Sequence, residues 1–132
     1  MQSRRGSRGF TLIEMMVVIS VILILLAVAL PNYSASVNAA REENLRKDLN
    51  TLNQVIYQYT LDKQKAPKSL DDLRTAGYLD AVPDDITGRN DTWAVEEETD
   101  TIMSPSQTDT GIIGVHSGSN LIGSDGRAYS EW

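Results

Sequence analysis

Arg8-Gly9-Phe10-Thr11-Leu12-Ile13-Glu14 opens a run that continues through Met15-Met16-Val17-Val18-Ile19-Ser20 and stays apolar to Leu30, where Pro31 closes it. In the 21 residues from Phe10 to Leu30 only Thr11, Glu14 and Ser20 are polar. A helix of that length rises about 30 Å, the hydrocarbon thickness of a bilayer. Arg4, Arg5 and Arg8 precede the run and no other basic residue occurs before Arg41. The positive-inside rule therefore sets a cytoplasmic amino terminus and sends the rest of the chain outward. Glu14 is the anomaly, because a lone carboxylate costs a few kcal/mol at membrane depth and such residues mark function. A secretory leader cut after Val37-Asn38-Ala39 is the plainest competitor. Its apolar centre would exceed the roughly 7–15 residues of a signal core, with Glu14 inside it. A plain single-span anchor explains the length and leaves Glu14 without a partner.

Beyond the span there is room for one small domain, since the chain has 132 residues, 41% of them hydrophobic. Three arginines and no acid precede Gly9, so the net charge of −6 becomes −9 once the first nine residues are set aside. Residues 70–132 hold 13 acids against Arg74, Arg89 and Arg127, which leaves no basic face for phosphates and excludes a nucleic-acid partner. Without cysteine there is no disulfide, thiolate metal site or cysteine nucleophile. His116, the single histidine, lies beside a turn with no obvious nucleophile partner and reads as a surface or packing residue. Asp71, Asp72, Asp84, Asp85 and Glu96-Glu97-Glu98 are adjacent in sequence and read as solvated surface, not as paired catalytic carboxylates. No phosphate loop or nucleophile elbow is present, and the chain reads as a non-enzyme.

After Pro31, Leu45, Leu49, Leu52, Ile56 and Tyr59 recur at spacings of 4, 3, 4 and 3, with polar residues between them. This is one face of an amphipathic helix, continuous with the apolar helix and running to about Lys63. Lys65-Ala66-Pro67-Lys68 breaks it, and Ser69 with Asp72 forms the capping box of a short helix that ends near Gly77. Strands are expected at Thr92–Glu96, with Trp93 and Val95 inward, and around Ile112, Ile113 and Val115. A last strand is expected from Ala128 to Trp132 after the Asp125-Gly126 turn, with a loop over Thr99–Thr110. The fold class is α+β: a long amino-terminal helix packed on a small antiparallel sheet.

The Arg8–Glu14 segment and its apolar continuation resemble the class III signal of type IV pilins and type II secretion pseudopilins. The resemblance implies a pilin-like fold and a prepilin peptidase that cuts after Gly9, discards the leader 1–9 and methylates the new amine of Phe10. It implies that Glu14 meets the Phe10 amine of a neighbouring subunit within an apolar filament core and so sets the register. It also implies a helix that kinks or locally opens at Pro31. The run Tyr57-Gln58-Tyr59-Thr60-Leu61-Asp62, then Ala66-Pro67, Leu70, Leu73, Gly77-Tyr78-Leu79 and Pro83-Asp84, resembles the αβ-loop of major pseudopilins. The organisation that follows is leader 1–9, transmembrane and assembly helix 10–31, amphipathic helix 32–64, and globular αβ-loop and sheet head 65–132.

Gly123-Ser124-Asp125-Gly126 and Ser130-Glu131-Trp132 resemble the two ends of the calcium loop of major pseudopilins. Only Arg127, Ala128 and Tyr129 lie between them, so an acidic insert with an expected ligand is missing. Calcium on Ser124, Asp125 and Ser130 is the one cofactor expectation, and the missing insert weighs against it. The resemblance implies a homopolymeric periplasmic pseudopilus, built from subunits held first in the inner membrane with the head outside. Its implied partners are the prepilin peptidase, an inner-membrane platform protein, minor pseudopilins and, indirectly, a cytoplasmic ATPase. The alternative within the family is a type IV pilin of a surface pilus. The alternative of another class is a membrane-anchored or secreted binding domain that never polymerises.

Overall fold

The computed structural model describes residues 9–98 and 110–132, so Arg4, Arg5, Arg8 and nearly all of the loop expected at Thr99–Thr110 lie outside the described residues. The elements are α1 (Leu12–Lys63), α2 (Leu70–Thr75), β1 (Ala94–Glu98), β2 (Gly111–His116) and a 3-10 turn at Tyr129–Glu131. The chain forms two compact units, one ending at Asn38 and the other spanning Ala39–Trp132, and α1 contributes to each.

In the first unit α1 is rich in Val and Ile, residues of modest helix propensity in water. A lipid surround would remove the alternative, because every backbone polar group must then be satisfied within the segment. The hydroxyls also satisfy themselves locally: Ser20 donates to the Met16 carbonyl at 2.7 Å, Ser34 to Pro31 at 2.9 Å and Ser36 to Asn32 at 3.0 Å. Every side chain from Phe10 to Leu30 is exposed. The helix passes through Pro31, whose missing N–H deprives the Ala27 carbonyl of its usual donor.

In the second unit the expected stripe is the core. Leu45, Leu49, Leu52, Ile56 and Tyr59 pack with Leu73, Trp93, Ile112, Val115 and Tyr129. Each such apolar side chain contributes about 2 kcal/mol on burial. The helix stops at Gln64, which takes a left-handed φ of 54°. In α2 the capping box is complete: Asp72 N–H donates to Ser69 Oγ at 3.2 Å, and Ser69 N–H donates to the Asp72 carboxylate at 3.1 Å. Gly77, at φ 82°, closes it with bonds from Gly77 N to Arg74 O and from Tyr78 N to Leu73 O, a Schellman exit. That exit sets Tyr78 edge-on to Tyr59, with ring centroids 5.4 Å apart.

Strands β1 and β2 pair antiparallel, with Val95 opposite Val115 and Glu97 opposite Ile112. A register shift between Glu96 and Glu97 leaves Ile113 as the extra residue of β2. The bulge explains why Ile112 and Val115, three apart, are both buried while Ile113 is exposed. Two strand expectations change. The first strand starts at Ala94, so Trp93 is buried ahead of it, its indole donating to the Pro83 carbonyl at 2.8 Å, while Val95 is exposed. The expected last strand is a single Ile122–Ala128 bridge followed by the 3-10 turn. Bonds from Tyr129 N to Leu121 O and from Ser130 N to Ser119 O draw the chain inward there, and the hairpin gives way to side-chain anchoring.

Candidate functional site

At the start of α1, Thr11 is the cap. Its hydroxyl accepts the Glu14 N–H at 3.3 Å, and the Glu14 carboxylate accepts the Thr11 N–H at 2.8 Å. Thr11-Leu12-Ile13-Glu14 is thus a reciprocal capping box, a role for Glu14 that the sequence reading missed although Thr and Glu three apart are its signature. Among the described residues no cation pairs with Glu14. Gly9 and Phe10 precede the helix, and Phe10 is 84% exposed. A Cβ added at Gly9 would meet nothing within 4 Å, and its φ is not one that favours glycine. Among the described residues nothing requires glycine there. The apolar stretch of α1 is long enough to cross a membrane and none of it is buried by the chain itself.

In the head, two carboxylates are buried as anchors. Glu42 continues the core stripe one turn below Leu45 and accepts hydrogen bonds from Ser124 N at 2.8 Å, from Ser124 Oγ and from Tyr129 OH at 2.9 Å. The Ser124 hydroxyl, ahead of the opposing effect of burial, holds the Glu42 carboxyl below its ordinary range, while burial raises the Tyr129 phenol. An acid at an inward position of an otherwise apolar stripe was the available signal, and it was missed. Asp85, expected on a solvated surface, is only 3% exposed. It accepts Ser117 Oγ at 2.6 Å, Gly118 N at 3.0 Å and Thr92 Oγ1 at 3.1 Å, joining the 85–92 loop to the turn after β2. Gly118 is required by this approach, because a Cβ there would lie 1.8 Å from the Thr92 carbonyl oxygen.

The carboxy terminus is fastened from both sides. Arg46 of α1 lies 4.4 Å over the Trp132 ring, and His116 bonds the Trp132 carbonyl through Nδ1 at 2.9 Å and Glu96 through Nε2 at 2.8 Å. Those two acceptors raise the His116 pKa, the Trp132 carbonyl contributing most. The residues expected to bind calcium are engaged elsewhere. Ser124 is held by Glu42, Asp125 accepts Arg127 Nε at 3.0 Å, and Ser130 Oγ bonds Asn120 at 3.2 Å. Among the described residues no group of three or more His, Asp or Glu side chains is arranged to hold a metal ion. All three side chains are thus already engaged within the chain.

The prokaryotic N-terminal methylation motif matches residues 4–30. The competence protein ComGC of Halalkalibacterium halodurans is 36% identical over 72 residues, covering 54% of this chain and 71% of that protein. The type II secretion system core protein G of Aeromonas hydrophila is 33% identical over 104 residues, covering 67% of this chain and 72% of that protein. ComGC of Bacillus subtilis is 32% identical over 74 residues, covering 56% and 76% respectively. No solved structure matches. An exposed apolar helix behind a Gly9-Phe10 junction, a small α+β head, and relatives covered over more than two thirds of their length lead to one conclusion: the chain belongs to the N-terminal methylation motif family of type IV pilin-like prepilins, structural subunits and not enzymes.

Proposed function

We infer that the chain is a major pseudopilin: an inner-membrane precursor, cut between Gly9 and Phe10, methylated at the Phe10 amine and polymerised into a periplasmic type II secretion pseudopilus. Before assembly it crosses the membrane once, with Arg4, Arg5 and Arg8 inside and the head in the periplasm. The observation that carries the reading is Glu14, a carboxylate in the exposed apolar stretch of α1 whose bonding among the described residues comes from the Thr11 cap. When helices pack together, that carboxylate becomes desolvated beside the Phe10 amine of a neighbour. A pair of this kind penalises every offset that leaves one member alone. The peptidase accounts for Gly9, which the fold itself does not require. Pro31, where the Ala27 carbonyl lacks its usual donor, is the point at which α1 bends or opens on assembly.

The segments act as leader 1–9, assembly helix 10–31, amphipathic helix 32–64 and head 65–132. The partners of this reading are the prepilin peptidase, a platform protein, minor pseudopilins and other copies of the chain. Calcium on Ser124, Asp125 and Ser130 has no part in it. The match to a secretion core protein reaches further along this chain than the matches to competence proteins, 67% against 54% and 56%. That favours the secretion role. The higher identity of one competence protein, 36%, sustains a competence pilus as the second reading. Deleting the chain in its host separates them, since loss of exported proteins from the medium supports secretion and loss of transformation supports competence. Intact mass and amino-terminal sequencing of the membrane-recovered protein tests processing. A chain starting at Phe10 with one added methyl group is the expected result, and a chain starting at Ala40 overturns it.

A further inference from the structure

The second unit carries two open clefts of opposite charge, one towards each end of its stretch of α1. The first, about 420 Å³, lies between α1 and the 84–88 turn, with Asp48, Asp84 and Arg41 in its wall. The second, about 410 Å³, lies where α1 gives way to α2 and is lined by Lys63, Lys65 and Lys68 with Asp72. Several other exposed charges of the head are paired within the chain. Arg74 is bound to Asp71, Arg89 to Asp91 and Arg127 to Asp125, while Arg46 covers Trp132. Among the described residues, Lys63 and Lys65 have no carboxylate partner, and Asp48 and Asp84 have no cation. Burial, opposed by Lys47, raises the Asp48 carboxyl above its ordinary range, so this acid is partly desolvated.

We propose that the lysine cleft of one copy of this chain seats against the aspartate cleft of a second copy, so that heads stack end to end along the filament. The two surfaces differ and both belong to every copy. Such a heterologous contact repeats without closing and generates an open helical array. Asp48 and Lys63 are 15 residues apart on α1, so parallel copies joined this way are offset by about 22 Å along the helix, against about 6 Å for copies joined from Phe10 to Glu14, and the clefts therefore join a different pair of neighbours. Pairs this open contribute little energy individually. Apolar helix packing drives association, and the charges choose the offset and reject wrong ones. The inference rests on the polymer reading above and adds the head surface through which it is ordered.

The chain has no cysteine, which makes the contact directly testable in the full-length protein in its host. Two single variants, Lys65→Cys and Asp84→Cys, are co-expressed and oxidised. A disulfide-linked dimer that neither variant forms alone is expected. Reversing Lys63 and Lys65 to Glu, or Asp48 and Asp84 to Lys, is expected to lower sedimentable filament about tenfold through like-charge contact, with recovery to within about twofold when both sets are combined. Normal filament yield from every reversal, with no cross-link, overturns the head contact while leaving polymerisation intact. A cross-link from Lys65→Cys to an unrelated host protein overturns the choice of a second copy. Absence of any polymer from the unaltered chain removes the polymer reading and this contact together.

Discussion

Glu14 and Glu42 are carboxylates on the same helix in opposite circumstances, and each yields a separable prediction. Glu14 caps its own helix through Thr11, so removing the side chain changes both the helix start and any pairing between subunits. Glu14→Gln separates the two, because an amide oxygen still accepts the Thr11 N–H while the charge is gone. The helix start is expected to persist and sedimentable filament to fall by more than about tenfold, the loss that follows from leaving a buried amine unpaired. Wild-type filament yield would reduce Glu14 to a cap. Glu42→Ala removes the acceptor of three hydrogen bonds and is expected to destabilise the head by about 2–4 kcal/mol, read by thermal melting of the detergent-solubilised chain. Because its folded pKa lies below the ordinary 4.5, the stabilisation is present above that value and is lost as pH falls through the folded pKa. His116 has the opposite sign. Its raised pKa gives a contribution that is complete below its ordinary 6.5 and fades as pH rises through the folded value. Head stability should therefore peak in the mildly acidic range, and Glu42→Gln should flatten only the acid limb.

At the scale of elements, what was legible in the sequence was what is locally encoded. The end of α1 at Lys63 and the cap and exit of α2 are set by residues within five positions of each other, and the expectations for them hold. The stripe from Leu45 to Tyr59 was legible for the same reason, since period and burial coincide. The carboxy-terminal turn was not, because its conformation is fixed by Glu42, 87 positions from Tyr129, and alternation alone reads as strand. Asp85 was misread similarly, as its partners Ser117 and Gly118 lie 32 and 33 positions away. Glycines make the same distinction testable. Gly118→Ala is expected to destabilise the head by about 3 kcal/mol or more, because backbone must shift to admit the methyl group. Gly9→Ala should leave thermal unfolding unchanged and block removal of the leader, an outcome read by intact mass.

At the scale of the whole molecule, the core cluster from Leu45 to Tyr129 lies entirely within the second unit, and no apolar residue before Asn38 belongs to it. The first unit is apolar and exposed throughout Phe10–Leu30, a surface that only lipid or other subunits satisfy in quantity. Stability and assembly are thus assigned to different stretches of one helix. A fragment of residues 39–132 is therefore expected to be soluble, monomeric and cooperatively folded. Its new helix start places Glu42 in the first turn, where a carboxylate is favoured by the helix dipole, so the bonds to Ser124 and Tyr129 should persist. Size-exclusion chromatography and a thermal melt check this. A monomer that unfolds in one transition supports an independent head, whereas an aggregated or unfolded fragment would mean that the head depends on residues before Ala39. Mixed in excess with the full chain, the fragment should not extend filaments, because it presents both charged clefts but lacks Phe10 and Glu14. Incorporation of the fragment would show that the heads, and not the apolar helices, drive polymerisation.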